Sequence, residues 1–269
     1  MSSSSPPRAH DPGGRPAELS VVIPTYNERD RLAELVARLF AATDAARIAL
    51  ELVVVDDNSP DGTGQIADEL AKNYRLRVVH RAGKLGLGTA VVAGFNVASA
   101  DLVGVMDADF SHPPELLPVL FRAFHETGAD VAVASRYIPG GSTPNWPVKR
   151  KIMSRFACLL ARPLSPIRDA ASGFFLIRHS IAKQVTIKAG GFKICLELIV
   201  RGWPRKLVEL PYTFEDRELG ESKMSTREAA GYLFQLKDLM LLRWSKLGRP
   251  KREYRQLTVQ DVERLRKQG

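Results

Sequence analysis

Two aspartates separated by a single residue, Asp107 and Asp109, follow the apolar run Leu102-Val103-Gly104-Val105-Met106. Such a run reads as a buried strand of a parallel sheet, and open α/β sheets collect ligands beyond the carboxyl ends of their strands. Carboxylates this close repel one another unless a positive charge lies between them, and a divalent cation with oxygen ligands is the usual answer. Asp-x-Asp also occurs in turns and caps, so its surroundings decide. Two more apolar runs end in polar turns, at Pro24-Thr25-Tyr26-Asn27-Glu28 and at Asp56-Asp57-Asn58-Ser59-Pro60-Asp61-Gly62. If the sheet is parallel, all three ends lie along one carboxyl edge and outline a nucleotide site. There a carboxylate accepts from base N–H groups or ribose hydroxyls, Tyr26 packs on a ring, and the aspartate pair holds a metal that bridges a diphosphate.

The elements that must position these groups follow from periodicity. Apolar runs at 19–24, 50–55, 76–79 and 130–134 read as strands, and helical spacing marks 27–39, 87–97 and a helix opened by Ser111-His112-Pro113-Pro114-Glu115 and running to about residue 125, with another helix ending near residue 72. Asn27 suits an N-cap. Strand and helix alternating at roughly 25-residue spacing predicts a mostly parallel sheet covered by helices on both faces. The rhythm breaks at Arg136. Residues 137–147 hold three prolines and two glycines and read as a long loop. Next comes a basic amphipathic helix, 148–160, in which Lys149, Arg150, Lys151 and Arg155 are set among Ile152, Met153, Phe156 and Leu159. A strand at 173–177, a helix at 196–201, an extended piece at 206–211 and a charged loop at 213–226 follow. The expected last helix, 227–246, puts Ala229, Leu233, Leu236, Met240 and Trp244 on one stripe, either packed on the domain or lying in a membrane interface beside a basic tail.

Composition sets limits. The 269 residues are 45% hydrophobic, ample for a core, and carry a formal net charge of +9, which suits an anionic partner: nucleic acid, a phosphorylated substrate or an acidic membrane surface. Cys158 and Cys195 read as core residues, which fits a reducing compartment. Residues 1–18, with four serines, four prolines and two glycines, read as a disordered tail. No signal-peptide segment is visible, and the longest uncharged run, 85–100, is 16 residues and too polar to span a bilayer. Lys84-Leu85-Gly86-Leu87-Gly88 lacks the ending of a P-loop and follows the third strand, so its glycines serve to admit a ligand, with Lys84 beside it.

Five motifs occur in order: Pro-Thr-Tyr-Asn-Glu from Pro24, Val-Asp-Asp-Asn-Ser-Pro-Asp-Gly-Thr from Val55, Met-Asp-Ala-Asp-Phe-Ser-His-Pro-Pro-Glu from Met106, Ser-Arg-Tyr from Ser135 with Gly-Gly soon after, and Gly-Glu-Ser-Lys-Met from Gly220. Together, over about residues 19–245, they resemble family 2 glycosyltransferases, specifically the dolichol-phosphate (polyprenol-phosphate) mannose synthases. The resemblance implies an α/β GT-A (Rossmann-like) domain over 19–224, an amphipathic interface helix over 225–247 and a basic tail over 248–269. It implies GDP-mannose as donor, with Pro24, Tyr26, Glu28, Asp57, Lys84 and, less directly, Asp56 around the nucleotide sugar. Asp107 and Asp109 would hold Mg²⁺ or Mn²⁺, with Ser111 a weaker ligand where relatives often have glutamine. A polyprenyl phosphate acceptor would meet Arg136, Arg150, Ser154, Arg217 and Lys223. The acceptor is already ionised, so no general base is required and His112 reads as a helix-entry residue; Asp109 and Arg136 carry the chemistry by relieving repulsion between two anions.

One departure is Phe175, where the resembled family commonly has arginine after Asp169-Ala170-Ala171-Ser172-Gly173-Phe174. The chain resembles the short forms that sit at the cytoplasmic membrane face peripherally or through a small membrane-anchoring partner protein. Nothing in the Asp57 turn separates guanine from uracil, so a UDP-sugar transferase remains the alternative. No nucleic-acid motif accompanies the positive charge, which gathers at 148–155 and 243–255 beside apolar groups.

Overall fold

A computed structural model describes residues 15–187, 193–215, 226–245 and 248–268. Eight strands form one sheet in the order β3-β2-β1-β4-β6-β5-β7-β8. The strands are β1 (Leu19–Thr25), β2 (Leu50–Asp56), β3 (Leu76–His80), β4 (Leu102–Val105), β5 (Val131–Ser135), β6 (Phe175–Arg178), β7 (Lys206–Pro211) and β8 (Glu253–Gln256). The helices are α1 (Arg29–Ala45), α2 (Thr63–Ala71), α3 (Leu87–Val97), α4 (Leu117–Thr127), α5 (Val148–Leu160), α6 (His179–Lys183), α7 (Ile194–Gly202), α8 (Thr226–Ser245) and α9 (Val259–Arg266).

β1, β2, β4 and β5 are buried almost throughout because the sheet is covered on both faces, which is why they read as unbroken apolar runs rather than alternating ones. Alternation decides instead which layer each residue enters. Val21 and Ile23 pack into the core beneath α1 and α4, while Val22 enters the core shared with α3 and α7. Gly94 marks how closely α3 lies on β1: an added Cβ would sit 2.4 Å from Val22 Cγ1. Gly94→Ala gains about 1 kcal/mol of helix propensity but overpacks a buried contact, at about 1–3 kcal/mol. We expect a net loss of about 1 kcal/mol in urea denaturation; unchanged or raised stability would show that α3 can move off the sheet.

The structure differs from the sequence reading at several places. Asn27 is not the cap of α1; it takes a left-handed φ of 61° and Glu28 occupies the N-cap without a side-chain capping bond. A 3₁₀ turn, Pro114–Leu116, precedes α4 where a helix from about residue 111 was expected. β6 runs antiparallel to both β4 and β5. The physical reason is the route of the chain: it leaves β5 at the carboxyl edge, stays over that edge through α5, and re-enters beside β5, where Ala134 N donates to Phe174 O at 3.0 Å. The helix α6 was not anticipated. Of the expected tail at 1–18, residues 1–14 lie outside the described residues, and Glu18 N donates to Ala49 O next to β1. The basic stretch at 248–269 supplies β8, parallel to β7, and α9, which packs on α4 and is capped by a Thr258–Asp261 capping box.

Candidate functional site

Because β2, β1 and β4 are neighbours, their three carboxyl ends do meet at one edge, with Thr25 level with Asp56 and Val22 level with Val105. Each end turns through a residue with positive φ: Asn27 at 61°, Asn58 at 58° and Phe110 at 60°. Asparagine tolerates that region; phenylalanine does so at a cost, and it sits between Asp109 and Ser111.

On the β1–β2 side the adjacent aspartates divide their work. Asp56 turns inward, accepting from Ser59 N at 3.1 Å and from Ser59 Oγ at 2.5 Å, and so builds the turn. Asp57 faces the crevice. Its Oδ2 accepts from Leu85 N at 3.2 Å, and Arg81 Nη1 lies 2.8 Å from Oδ1 as an ion pair without the alignment of a hydrogen bond. Burial pushes the Asp57 carboxyl above its ordinary pKa, against the pull of Arg81 and the Leu85 and Gly86 amides. Lys84 Nζ lies 4.2 Å from the centre of the exposed Tyr26 ring, which closes the rim. Pro24 is the penultimate residue of β1, and Glu28, the N-cap of α1, lies 3.3 Å from Arg31 and donates its backbone N–H to Thr63 Oγ1 at 3.0 Å. Arg81 was not singled out in the sequence; only its place one residue past β3 could have marked it.

At the end of β4, Asp107 and Asp109 differ in exposure. Asp109 is buried, and its Oδ1 accepts from Ser111 N at 3.0 Å and Ser111 Oγ at 2.5 Å. Ser111, expected as a weak metal ligand, thus spends its hydroxyl on Asp109. The Asp107 side chain is 35% exposed and faces the crevice. His112 is not merely a helix-entry residue. It is buried among the rings of Phe174, Tyr212 and Phe214, with Tyr212 Oη 3.0 Å from Nδ1 and Asp107 Oδ2 3.3 Å from Nε2. Burial pushes the Tyr212 hydroxyl well above its ordinary pKa; in the tautomer where that hydroxyl donates to Nδ1, Nε2–H meets Asp107. Gly173 lies against the same carboxylate; a Cβ there would come within 2.9 Å of Asp107 Oδ2. Among the described residues no group of three metal-ligating side chains is assembled. Two hard oxygen donors, one of them open, fit a cation that takes its other ligands from phosphate and water, as Mg²⁺ does.

Across the edge, Arg136 follows β5. Its Nε and Nη2 donate to Asp169 Oδ2 and Oδ1, each at 2.7 Å, and its backbone N–H adds a third bond to Oδ2 at 3.0 Å. Burial works against its charge, but Asp169 outweighs burial and holds the guanidinium above its ordinary range. Beneath Asp169 lies Glu209 of β7, whose oxygens accept from Arg168 N at 2.9 Å and Asp169 N at 2.8 Å and from the Tyr254 hydroxyl of β8. The guanidinium of Arg136 stands 5.3 Å from the Trp146 ring centre, and that of Arg150 stands 3.8 Å from it. Trp146 Nε1 is buried without a hydrogen-bond partner among the described residues. Ser154 accepts from Tyr137 Oη at 2.6 Å, so three of the five expected acceptor residues gather around two aromatic rings. Arg217 and Lys223, with the Gly220-Glu221-Ser222-Lys223 loop, lie outside the described residues. Sequence reasoning missed Trp146 and Tyr212. It also missed Lys193, whose ammonium is pushed down in pKa by burial and Arg136 and is opposed by Cys158, Asp169 and Asp107. Phe175, the departure from the resembled motif, points into the core under α3 and α7, whereas Phe174 faces His112.

On α5, Val148, Ile152, Phe156 and Leu159 form one stripe, 58 to 71% exposed. α8 packs on α7 through Tyr232, Leu236 and Leu239, a stripe displaced from the expected one, and leaves Leu233, Met240 and Trp244 outward; the Ala229 side chain is outside the description.

A mostly parallel sheet with acidic strand ends, crossed by one antiparallel strand that closes the site, is the GT-A architecture of nucleotide-sugar transferases. The chain belongs to glycosyl transferase family 2, whose model matches residues 20–193, and within it to the dolichol-phosphate and polyprenol-phosphate mannose synthases. It is 43% identical over 227 residues to the dolichol-phosphate mannosyltransferase of Pyrococcus furiosus, covering 83% of this chain and 64% of that one. Against the dolichol-phosphate mannosyltransferase of Saccharomyces cerevisiae it is 38% identical over 238 residues, covering 84% of this chain and 88% of that one. Among solved structures, a mannosyltransferase from Pyrobaculum calidifontis, in complex with GDP-Man and Mn²⁺, superposes with a TM-score of 0.60 at 16% identity, over 97% of this chain and 71% of that one. That likeness establishes the fold.

Proposed function

We propose that the protein transfers mannose from GDP-mannose to a polyprenyl phosphate with inversion, while resting on a membrane surface. The observation that carries this reading is the meeting, at one sheet edge, of the Asp107–Asp109 pair with an arginine–tryptophan cradle whose buried indole N–H has no partner among the described residues. One side suits a diphosphate leaving group; the other suits a phosphate nucleophile. The curated relatives, which are named for mannose transfer to dolichol phosphate, support the choice of sugar and acceptor.

A divalent cation, Mg²⁺ or Mn²⁺, held by Asp107 and Asp109 would neutralise charge gathering on the departing diphosphate. His112 and Gly173 fix the open Asp107 carboxylate, and Ser111 fixes Asp109. Asp57, Arg81, Tyr26 and Lys84 seat the nucleoside, beside Pro24, Glu28 and the Asp56 turn. Arg136, locked by Asp169, presents its remaining edge to the acceptor phosphate with Arg150 and Trp146 Nε1, while the Tyr137–Ser154 pair orders the wall; Arg217 and Lys223 are assigned to the same phosphate. The phosphate oxygen attacks the anomeric carbon, the bond from that carbon to the GDP oxygen breaks on the opposite side, and an α-linked donor yields a β-linked mannosyl phosphate. The outward apolar stripes of α5 and α8, flanked by Lys149, Arg155 and Arg243, lie toward lipid. No described helix is long and apolar enough to cross a membrane, which suits peripheral attachment, directly or through a small anchoring protein.

The test is incubation with polyprenyl phosphate, Mg²⁺ or Mn²⁺, and either radiolabelled GDP-mannose or radiolabelled UDP-glucose, followed by organic extraction. Label is expected in the lipid phase from GDP-mannose alone and to vanish with a chelator. Label entering only from UDP-glucose would overturn the mannose assignment, and full transfer in the chelator would overturn the metal.

A further inference from the structure

A second concentration of positive charge lies where α7, α8 and β8 converge, and it plays no part in the transfer chemistry above. A pocket of about 410 Å³ is lined there by Arg162, Arg243, Arg249, Lys251 and Arg252, around Trp203. Three guanidiniums stand over the one indole, at 4.0 Å for Arg252, 5.5 Å for Arg243 and 5.6 Å for Arg249. Trp203 itself takes a left-handed φ of 54°, a costly conformation for a bulky residue that turns the chain out of α7. The guanidinium of Arg252 is anchored from two sides, Nη1 donating to Leu164 O at 3.0 Å and Nη2 to Ile199 O at 2.7 Å, while its buried Nε has no partner among the described residues. Burial and the charges of Arg243 and Arg249 push its pKa down to about 10. Among the described residues no carboxylate lines the pocket or pairs with these cations. Like charges held this close repel, and the arrangement is relieved by an anion.

The chemistry of that anion follows from what adjoins the pocket. Along α8, Arg243 of this pocket is followed by Trp244, which lines a second, apolar groove of about 380 Å³ with Leu160, Leu233, Met240 and Leu241, and with Lys237 at its side. A cationic slot and an apolar groove that meet consecutive residues of one helix match an amphiphile with a phosphate head, and a tryptophan between cationic and apolar groups suits the lipid–water interface. The site is separate from the catalytic crevice. Arg150 is near the start of α5 and Arg162 lies just past its end, and the 13 residues between the helix ends span about 20 Å.

We propose that this pocket binds the phosphate headgroup of an anionic phospholipid, with an acyl chain in the adjoining groove, so that one bound lipid orients the α5–α8 face on the membrane. The idea rests on the membrane-facing reading of that face, but its test needs neither donor nor acceptor. A short-chain phosphatidylglycerol, kept below its critical micelle concentration, is titrated into the full-length protein by calorimetry, in parallel with short-chain phosphatidylcholine and with inorganic phosphate. The phosphatidylglycerol is expected to bind at one saturable site, at least about 10-fold more tightly than either control. Arg243→Gln with Arg249→Gln, which breaks no ion pair among the described residues, is expected to weaken it on the order of 30-fold, at about fivefold per arginine. Circular dichroism should report an unchanged fold. Lys149→Gln with Lys151→Gln removes the same charge from α5 and should leave the titration unaltered. Equal affinity for inorganic phosphate would make free phosphate the ligand and overturn the lipid assignment. Equal loss in the Lys149/Lys151 variant, or no loss in the Arg243/Arg249 variant, would overturn the site itself. Failure of mannose transfer in the assay above would leave all these results standing.

Discussion

Asp169→Asn is expected to lower unfolding free energy by about 3–5 kcal/mol and to abolish transfer. Asp169 and Arg136 are both buried, and the carboxylate receives three bonds from that one residue. Removing one partner of such a pair strands an uncompensated buried charge, which is far more costly than removing both. In thermal unfolding the loss corresponds to about 10 °C for a chain of this size. The companion variant Arg136→Met with Asp169→Leu separates structure from chemistry. It should recover most of the stability, because neither charge is left buried, and it should stay inactive because the acceptor phosphate has lost its arginine. A double variant that is both stable and active would remove Arg136 from the acceptor site and leave the pair a purely structural role. A single variant as stable as the parent would mean that the site admits water to Arg136.

Asp109→Asn should reduce transfer on the order of 1,000-fold, since a metal on the leaving diphosphate supplies several kcal/mol to the transition state. The fold should survive, because an asparagine oxygen can still accept the Ser111 bonds made to Oδ1. Metal affinity is the independent readout: Mn²⁺ binding in the presence of GDP, followed by electron paramagnetic resonance, should weaken together with turnover. Normal turnover in this variant would remove the metal model. Weak metal binding with normal turnover would show that the cation is not required for the chemical step.

The half of the site proposed for the donor was legible because it is built from strand ends. In a covered parallel sheet the strands are apolar runs, and the polar residue that stops each run stands at the carboxyl edge, so Tyr26, Asp57 and Asp107 could be placed by counting. The half proposed for the acceptor was legible only as a resemblance. Arg136, Arg150 and Ser154 come from a region where the strand–helix rhythm fails, and no periodicity says that α5 folds back over the edge it has just left. Trp146 was read as part of a proline-rich loop, yet it is the ring on which both arginines converge. His112 follows two aspartates and precedes two prolines, a pattern that marks a helix entry; its contact with Tyr212 spans 100 residues of chain and is set by where β7 lies. The α8 stripe was misplaced for a related reason. Helical periodicity admits neighbouring stripes when Leu233, Leu236, Leu239 and Met240 are all apolar, and packing against α7 chose Tyr232, Leu236 and Leu239.

By itself the sequence determined the parallel half of the sheet, the layering of helices over it and the acidic edge, because burial on two faces and turn chemistry are local properties. Only the tertiary structure decided that β6 runs backwards between β4 and β5, which sets Asp169 against Arg136 and Gly173 against Asp107. It alone made the expected tail a structural element: β8 extends the sheet, and Tyr254 closes a hydrogen-bonded chain through Glu209 and the Asp169 amide to Arg136. Those contacts join residues far apart in sequence, and their reason is the low-dielectric interior, where a buried charge must find its partner wherever the chain brings one within reach.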